Sequence, residues 1–597
     1  MTGGTNPPAP NGGFSRRALL RRGAVAGSAL ALGAAVPAAA SGGLAAAPGA
    51  PGPSGAAGTG PLQLARVWAG AAGVPAGLDA THRVFDDGSV EVLLWPGDVE
   101  RLRAAGLRFE VTVTDVAAAD RAAAAADHGP TLGLAVQPGE KTDYRRLAEV
   151  EAELRLLAEQ NPTRARLLTL PFTTFEGRRV IGLEIAHDVN GVDGRPTFHI
   201  DGVHHAREWP AVEMAIMFAY DLLGNDGVDA RITTLLDHVR FTIVPVVNPD
   251  GFNHSRETAA GQGNEGAVAG GQGQYWRKNR RSLTDEGSTP EGSYPAALRG
   301  RDAYGVDPNR NYASTWGRPG SSSSDITSQS HRGDAPFSEP ETRNIAWLST
   351  TRHITGSLTH HTYAGEIIWP WANEMGEAPD AALYADLGAA MGAINGYRAR
   401  KYNTSEGTTP DHFYCSVASI SFLFEHGTTA FHPPYAGFIP QLYGSNRDAF
   451  ILAAEELCLL PSQRSARTGL PAGLLSGTGE RILHHAVLRG RVVDADGRGV
   501  QAELVTRKRY DSLLWLFGNG TAPAGRKLHE EVFEARTTTD ADGWFTWHVN
   551  PSTRPHVQRD GGVETYELTV LSDAGGTARR IAVARGDDVN LGELQVS

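Results

Sequence analysis

The segment Gly202-Val203-His204-His205-Ala206-Arg207-Glu208-Trp209 comes directly after the apolar run Phe198-His199-Ile200 and a short link. A short apolar run that ends in polar residues predicts a buried β-strand whose last residues reach the edge of a sheet. His205 and Glu208 are three residues apart at this strand exit, so both side chains can face one point. Because an imidazole nitrogen and a carboxylate oxygen are suitable zinc ligands, the segment predicts part of a metal site.

Two later strand ends carry residues that complete such a site. A third ligand is required, because a lone His-x-x-Glu pair arises by chance in any long chain. His361 follows Glu208 after 361 − 208 = 153 residues and ends the apolar run Ile354 to Thr359. Glu425 ends the run Ser421 to Phe424, whose apolar surroundings favour a raised carboxyl pKa, as a general base requires. We therefore expect these strand ends to converge on one spot.

The block from residue 141 to residue 460 alternates helix and strand patterns. Tyr144 to Glu159 has apolar residues at helical spacing, and Glu213 to Leu223 is an apolar helix between two strands. Phe241 to Val247 and Ile420 to Phe424 are further short apolar runs that predict buried strands. The block is therefore predicted to be an α/β domain with chemistry at its strand ends.

Two smaller regions flank this block, one at residues 62–127 and one at residues 486–597. In the first, Val90 to Leu93, Pro96 to Ala105 and Phe109 to Val113 predict a strand, a helix and a second strand, followed by an alanine-rich helix or linker. The second has short alternating strands and Asp-Gly turns, which predict a β-sandwich with no catalytic group. The tryptophans of this sandwich are expected in its core: Trp515, Trp544 and Trp547.

Residues 1–40 have the pattern of a twin-arginine signal peptide, and the protein is therefore expected to be secreted. Arg16-Arg17 precedes a mildly apolar stretch that ends in Ala38-Ala39-Ala40. No stretch is apolar enough to predict a stable membrane span. The net charge of −12 argues against a nucleic-acid partner. The two cysteines, Cys415 and Cys458, allow at most one disulfide and are expected to be small buried residues.

The central block contains a series of motifs in a fixed order: Gly202 to Trp209, Pro245 to Gly251, Trp276-Arg277-Lys278-Asn279-Arg280, Gly305 to Asn311, Ser338 to Glu341, His361-Thr362-Tyr363, Trp369-Pro370 and Phe424-Glu425. Taken in this order, they resemble the motifs of the zinc metallocarboxypeptidase family (M14) typified by pancreatic carboxypeptidase A and its bacterial relatives. The resemblance covers about residues 140 to 460 and implies a mixed central β-sheet flanked by helices. The region at 62–127 resembles a pro-region, and the region at 486–597 resembles a transthyretin-like, regulatory-like β-sandwich.

The resemblance implies an exopeptidase that contains one zinc ion per chain and acts as a monomer on the C-termini of peptides or proteins. It implies that the second histidine of each doublet is a ligand, which gives His205, Glu208 and His361. By the same resemblance, Glu425 is the general base and Arg280 polarises the scissile carbonyl group. The residues implied to bind the substrate's terminal carboxylate, or to close over it, are Asn309, Arg310 and Tyr402.

The sequence leaves two properties undecided, the side-chain preference of the pocket and the kind of function that the site performs. If Thr409 or Pro410 lines the side-chain pocket, the pocket is neutral and accepts apolar or aromatic residues, whereas an inward-facing Asp411 would select lysine or arginine. The same catalytic residues would also serve a zinc amidase that trims peptidoglycan stem peptides. A non-catalytic binding protein on a peptidase scaffold is the alternative from outside the enzymes.

Overall fold

The computed structural model describes residues 60–70, 74–75, 78–126, 141, 143–191, 193–259, 273–282, 305–318, 320–326, 328–372, 376–401, 405–460, 463, 485–509, 532–551 and 563–597. The predicted signal peptide, Trp515 and Tyr402 lie outside these residues. Three groups of elements follow one another along the chain. Among the described helices, none combines the length and apolar composition needed to cross a bilayer.

The N-terminal module is a four-stranded antiparallel sheet with two helices. The elements are β1 (Gln63–Trp68), β2 (Asp79–Val84), β3 (Val90–Leu94), α1 (Asp98–Ala104), β4 (Arg108–Val113) and α2 (Val116–Ala126). The strand order is β2-β3-β1-β4. The predicted elements are present, and the structure adds two strands that the sequence analysis missed, β1 and β2. Neither has a clean alternation of apolar and polar residues.

The central block contains an eight-stranded mixed sheet flanked by helices, as predicted. Its strands are β5 (Ala165–Thr173), β6 (Arg179–Ile185), β7 (Thr197–Gly202), β8 (Arg240–Val244), β9 (Ile354–His361), β10 (Glu366–Trp369), β11 (Arg398–Lys401) and β12 (Ile420–Glu425). Its helices are α3 (Leu147–Gln160), α4 (Trp209–Gly224), α5 (Ala230–His238), α6 (Pro249–Ala259), α7 (Pro340–Thr351), α8 (Ala381–Asn395), α9 (Thr409–Val417) and α10 (Tyr435–Cys458). The strand order is β11-β10-β12-β9-β7-β8-β6-β5.

The two faces of this sheet are covered differently. One apolar cluster joins the sheet to α3, α4, α5, α8 and α10. A second cluster joins it to α7 and α9 and continues without interruption into the C-terminal strands. Cys415 and Cys458 are both buried and are not joined in a disulfide, in agreement with the expectation of small buried residues.

The C-terminal region is built of two sheets whose side chains share the second cluster. The strands are β13 (Ala486–Val493), β14 (Glu503–Arg509), β15 (Val532–Thr538), β16 (Trp544–Val549), β17 (Val563–Ser572), β18 (Gly575–Ala584) and β19 (Asp588–Gln595). The two sheets have the strand orders β16-β13-β19 and β15-β14-β17-β18. Trp547 is buried, but the prediction for Trp544 was wrong, because this side chain is 56% exposed. The two residues are three apart on one strand, so they point to opposite faces.

Hydrogen bonds from a side chain of the sandwich to backbone carbonyl groups also connect it to the central block. Asn550 Nδ2 donates hydrogen bonds to the carbonyl oxygens of Ile354, at 2.6 Å, and Val417, at 3.3 Å. These carbonyls belong to the first residue of β9 and the last residue of α9. The sandwich therefore lies against the opposite end of β9 from His361.

Candidate active site and metal centre

Three neighbouring strands bring the predicted residues to one edge of the central sheet. β7, β9 and β12 are parallel, so their carboxyl ends meet at the same edge. Gly202 at the end of β7 pairs with His360, and His361 at the end of β9 pairs with Glu425. The turn after β7 then places His205 and Glu208 beside His361.

The three predicted metal ligands form one compact buried group. His205 Nδ1 lies 2.7 Å from Glu208 Oε1, and His361 Nδ1 lies 2.8 Å from Glu208 Oε2. The two Nδ1 atoms are 3.1 Å apart. In the part of the chain that the structure describes, this is the one group of histidine, cysteine and carboxylate side chains that could bind a metal ion. Two imidazoles and one carboxylate are a suitable ligand set for zinc, so these residues fit that ion.

Asp307 connects the ligand group to its surroundings, and the sequence analysis did not identify it. Its Oδ1 atom lies 3.2 Å from His205 Nε2 and accepts a hydrogen bond from the Asn309 backbone, while Oδ2 accepts from Arg277. Burial by itself would raise the Asp307 pKa, but the charge of Arg277 and the other nearby cationic groups hold that pKa well below its usual value. A carboxylate on the far nitrogen of a metal-binding histidine orients the ring.

An arginine that the sequence analysis did not select, Arg277, reaches this group. Arg277 is buried, its Nη2 atom is 3.0 Å from Asp307 Oδ2, and its Nη1 atom is 4.0 Å from Glu208 Oε1. The predicted Arg280 donates from Nε to Glu176 at 3.3 Å and lies over the Trp276 ring. The role of Arg280 stays a prediction, and Arg277 is a second candidate for it.

A pocket opens beside the ligand group. Its polar wall contains Asn309, Arg310, Ser405, Thr408 and Glu425. Its apolar wall contains Ile368, Trp369, Ala372, Pro410 and Leu423. Arg310 is buried, yet its Nε atom has no hydrogen-bond partner among the described residues. A buried guanidinium N–H without a partner marks a position where an anionic ligand would be stabilised.

Asp411, which could have supplied a charge to this pocket, is turned to another partner. Its Oδ1 atom accepts a hydrogen bond from the backbone N–H of Ala372 at 3.0 Å. Pro410 lines the pocket, whereas Asp411 is not among the described lining residues. The structure therefore favours the neutral alternative of the two that the sequence left open.

Glu425 is buried at the end of β12 and lines the pocket. Burial raises its pKa well above the ordinary value, and the negative charges of Glu208 and Glu366 raise it further. Arg277 and Arg310 act in the opposite direction. A carboxyl group with a raised pKa next to a substrate pocket has the properties of a general base or acid.

The N-terminal module contacts this same edge of the sheet through acidic side chains. Asp79 forms a two-pronged ion pair with Arg207, in which Nη2 and Oδ1 are 2.7 Å apart. Glu91 accepts a hydrogen bond from the Tyr363 hydroxyl at 2.6 Å, and Asp120 accepts one from Tyr275. Arg207 and Tyr363 belong to the motifs that contain the metal ligands.

A profile of the zinc carboxypeptidase family matches residues 150–457, which is more than half of the chain. The chain belongs to the zinc carboxypeptidase family. The match contains all the described residues of the ligand group and of the pocket.

Individual members of the family are similar to parts of the chain. Carboxypeptidase A1 of Mus musculus is 28% identical over 311 residues, which are 50% of this chain and 66% of that protein. The chain thus spans just under two thirds of that relative's length. A protein named inactive metallocarboxypeptidase ECM14, from Ajellomyces dermatitidis, is 31% identical over 238 residues, which are 38% of this chain and 35% of that protein.

Solved structures show the same fold. The crystal structure of thrombin activatable fibrinolysis inhibitor superposes with a TM-score of 0.52 at 21% identity, covering 67% of this chain and 98% of that one. Carboxypeptidase A from Helicoverpa armigera has the same TM-score and identity, and covers 66% of this chain and 97% of its own. The match to the second structure supports the mixed sheet flanked by helices.

Proposed function

We propose that the protein is an active zinc carboxypeptidase that hydrolyses the last peptide bond of peptides or proteins. One observation carries the proposal: a buried arginine, whose Nε–H has no partner among the described residues, and a buried glutamate line one pocket next to the His-Glu-His group. Such a pocket can bind a terminal carboxylate at one end and perform hydrolysis at the other. A peptide bond within a chain has no carboxylate to pair with Arg310, so the geometry favours an exopeptidase.

His205, Glu208 and His361 would bind one zinc ion. When bound, that ion supplies Lewis-acid polarisation and a lowered pKa for water. Arg310 and Asn309 bind and orient the terminal carboxylate, because a guanidinium group matches a carboxylate in charge and shape. Arg277 takes the role predicted for Arg280 and stabilises negative charge on the scissile carbonyl oxygen. Glu425 accepts a proton from water and delivers it to the leaving amine.

We propose that the released residue is apolar. The wall formed by Ile368, Trp369 and Leu423 contains no charge, and the carboxylate of Asp411 is bonded to backbone. A lysine or arginine side chain against this apolar wall would lose its hydration and find no charged partner there, which is unfavourable. Substrates that end in leucine or phenylalanine are therefore expected to be turned over faster than those that end in lysine or arginine.

We propose that the N-terminal module is a pro-region and that the chain is exported by the twin-arginine pathway. The first proposal is supported by Asp79, which pairs with Arg207 at the edge that contains the ligands. The second is supported by the Arg16-Arg17 pair and the Ala38-Ala39-Ala40 pattern. Replacing Arg16-Arg17 with two lysines is expected to keep the protein inside the cell in a fractionation assay, whereas unchanged export would contradict the pathway.

The central test compares Glu425→Gln with the unchanged protein, using blocked dipeptides with different last residues. Both the full chain and the chain from Lys141 onward are assayed. We expect amino-acid release by the unchanged protein, complete inhibition by a zinc chelator, and a loss of about a thousandfold or more in kcat for Glu425→Gln. Glu567→Gln is the control, because Glu567 is exposed on the sandwich.

Three outcomes would redirect the proposal. Equal activity of Glu425→Gln and Glu567→Gln would exclude Glu425 as the base. Zinc binding without any turnover would favour a non-catalytic binding protein. Turnover confined to peptidoglycan stem peptides would favour the amidase.

A further inference from the structure

The carboxylate-binding Asn309 is held by a neighbour that no part of the proposed reaction uses. Asn309 Oδ1 accepts two hydrogen bonds from Thr409, one from its backbone N–H at 2.8 Å and one from its hydroxyl group at 2.9 Å. Thr409 is the first residue of α9 and is fully buried. The residues before and after it, Thr408 and Pro410, line the pocket, so Thr409 lies behind the pocket wall.

The orientation of the Asn309 amide matters because its two ends have the same shape and opposite polarity. The nitrogen end donates hydrogen bonds, and the oxygen end only accepts them. A substrate carboxylate requires donors, so a reversed amide would present an oxygen that repels it. The Asn309 side chain therefore binds a carboxylate only when Oδ1 is kept at the far end, against Thr409.

The other end of the amide has a neighbour that favours the reversed orientation. Asn309 Nδ2 lies 3.3 Å from His361 Nε2. The Nδ1 atom of His361 faces the ligand group, so a metal-binding His361 has its proton on Nε2. This N–H would prefer the amide oxygen as its partner. Two donors of Thr409 hold the amide oxygen of Asn309 on their side, and one donor of His361 attracts it to the other side. Without the Thr409 hydroxyl group, each of the two orientations of the amide would have one donor in its favour.

The Thr409 hydroxyl group lies among buried polar neighbours. His204 Nε2 lies 2.9 Å from Thr409 Oγ1 and 2.8 Å from the Tyr312 hydroxyl oxygen. Because Asn309 Oδ1 can only accept, its 2.9 Å contact with Oγ1 is a hydrogen bond that Thr409 donates. All four side chains are buried, so water does not compete for these bonds.

We propose that Thr409 is a positioning residue that fixes the polarity of the Asn309 amide and so determines the affinity of the pocket for a terminal carboxylate. The inference rests on the proposed carboxypeptidase function. It concerns binding rather than the chemical step, because Thr409 touches neither the ligand group nor Glu425. Its removal is therefore expected to act on KM and to leave kcat nearly unchanged.

The test compares Thr409→Val, which has the same shape and keeps the backbone N–H, with Thr409→Ser, which keeps the hydroxyl group. Each variant is made in the full chain or in the chain from Lys141 onward, whichever shows hydrolysis that a zinc chelator inhibits. The probes are a blocked dipeptide as substrate, and 3-phenylpropanoate and its amide as non-reacting ligands. We expect Thr409→Val to raise KM and the Kd of the carboxylate about tenfold, with no change for the amide. Thr409→Ser is expected to remain within about twofold of the unchanged protein.

The possible outcomes separate the inference from the function on which it rests. Equal KM and equal carboxylate affinity in the two variants would overturn the role of Thr409 while the carboxypeptidase function stands. A fall in Tm and kcat without a change in KM would also overturn it, because Thr409 would then be merely structural. An unchanged protein that neither hydrolyses the dipeptide nor binds the carboxylate would overturn both.

Discussion

The N-terminal module and the C-terminal sandwich both pack on the central block, but through different kinds of contact. The module reaches the carboxyl edge of the sheet with Asp79, Glu91 and Asp120, supported by a small apolar cluster. The sandwich shares one continuous apolar cluster with α7, α9 and the sheet. It also donates from Asn550 to the backbone of β9 and α9.

This difference bears on how easily each part could leave the central block. Ion pairs form and break with little net change in free energy, because each charge regains its hydration when the pair opens. An apolar cluster has no such compensation, since every exposed side chain costs free energy in water. We infer that the module can leave the folded central block, whereas the sandwich is part of its core.

The largest expected effect comes from weakening the shared apolar cluster. Leu488 on β13 is fully buried in that cluster. Leu488→Ala should lower the free energy of unfolding by about 2–5 kcal/mol, because it removes apolar contacts and leaves a cavity. Urea unfolding of the full chain measures this change. If the sandwich is part of the core, tryptophan fluorescence and loss of activity should shift together.

The control for this prediction is Leu571→Ala in the same sandwich. Leu571 is 46% exposed, so its replacement should change stability by less than about 0.5 kcal/mol. Separate unfolding transitions for the sandwich and the central block in Leu488→Ala would contradict the comparison.

A smaller effect should appear in the pH dependence of stability through Glu341, in the helix between the sheet and the sandwich. Burial, and then the charge of Glu339, raise the Glu341 pKa to about 8. A raised folded-state pKa gives stability that is complete below the unfolded value and is lost as the pH rises through the folded value. The protein should therefore lose about 1–3 kcal/mol between pH 5 and pH 8 through this group.

Glu341→Gln tests this source of pH dependence, because glutamine is neutral at every pH. The variant should show a flatter stability curve than the unchanged protein across the same interval. Chemical unfolding at several pH values measures both curves. Parallel curves would show that Glu341 does not titrate there.

The smallest expected effect concerns the module. In Asp79→Asn one oxygen still accepts from Arg207, but the ion pair is lost. We expect weaker packing of the module by about 1 kcal/mol and a rise of about fivefold in the activity of the intact chain. Asp87→Asn is the matched control, since Asp87 is half exposed and pairs with Arg66 inside the module. Equal activity of the two variants would contradict the pro-region proposal.

The sequence predicted the residues that lie at strand ends. His361 and Glu425 end apolar runs, and parallel strands that alternate with helices bring such ends together, so these positions follow from local patterns. The mixed sheet flanked by helices is also as the resemblance implied. The sequence could not decide between the neutral and the charged pocket, because whether Pro410 or Asp411 faces inward depends on where α9 begins.

The sequence could not place residues in segments without regular structure. Arg277, Lys278, Arg280 and Arg281 lie within one irregular stretch, where no helical or strand period distinguishes which side chain points inward. Asp307 could have been found by asking which acidic residue near Asn309 would orient a ligand histidine. The contact between the sandwich and α9 could not be predicted, because it depends on the packing of two regions far apart in sequence.

Asp307 has a consequence for protein engineering. One carboxylate contacts His205, Arg277 and the backbone of Asn309. Under the proposed function, metal affinity, carbonyl polarisation and recognition of the substrate terminus would therefore not be independent design variables in this scaffold. In a library that randomises residues near Asp307 one at a time, a change at one position would alter the effect of a change at another. The segment from Gly305 to Asn311 is therefore best exchanged between relatives as a single cassette.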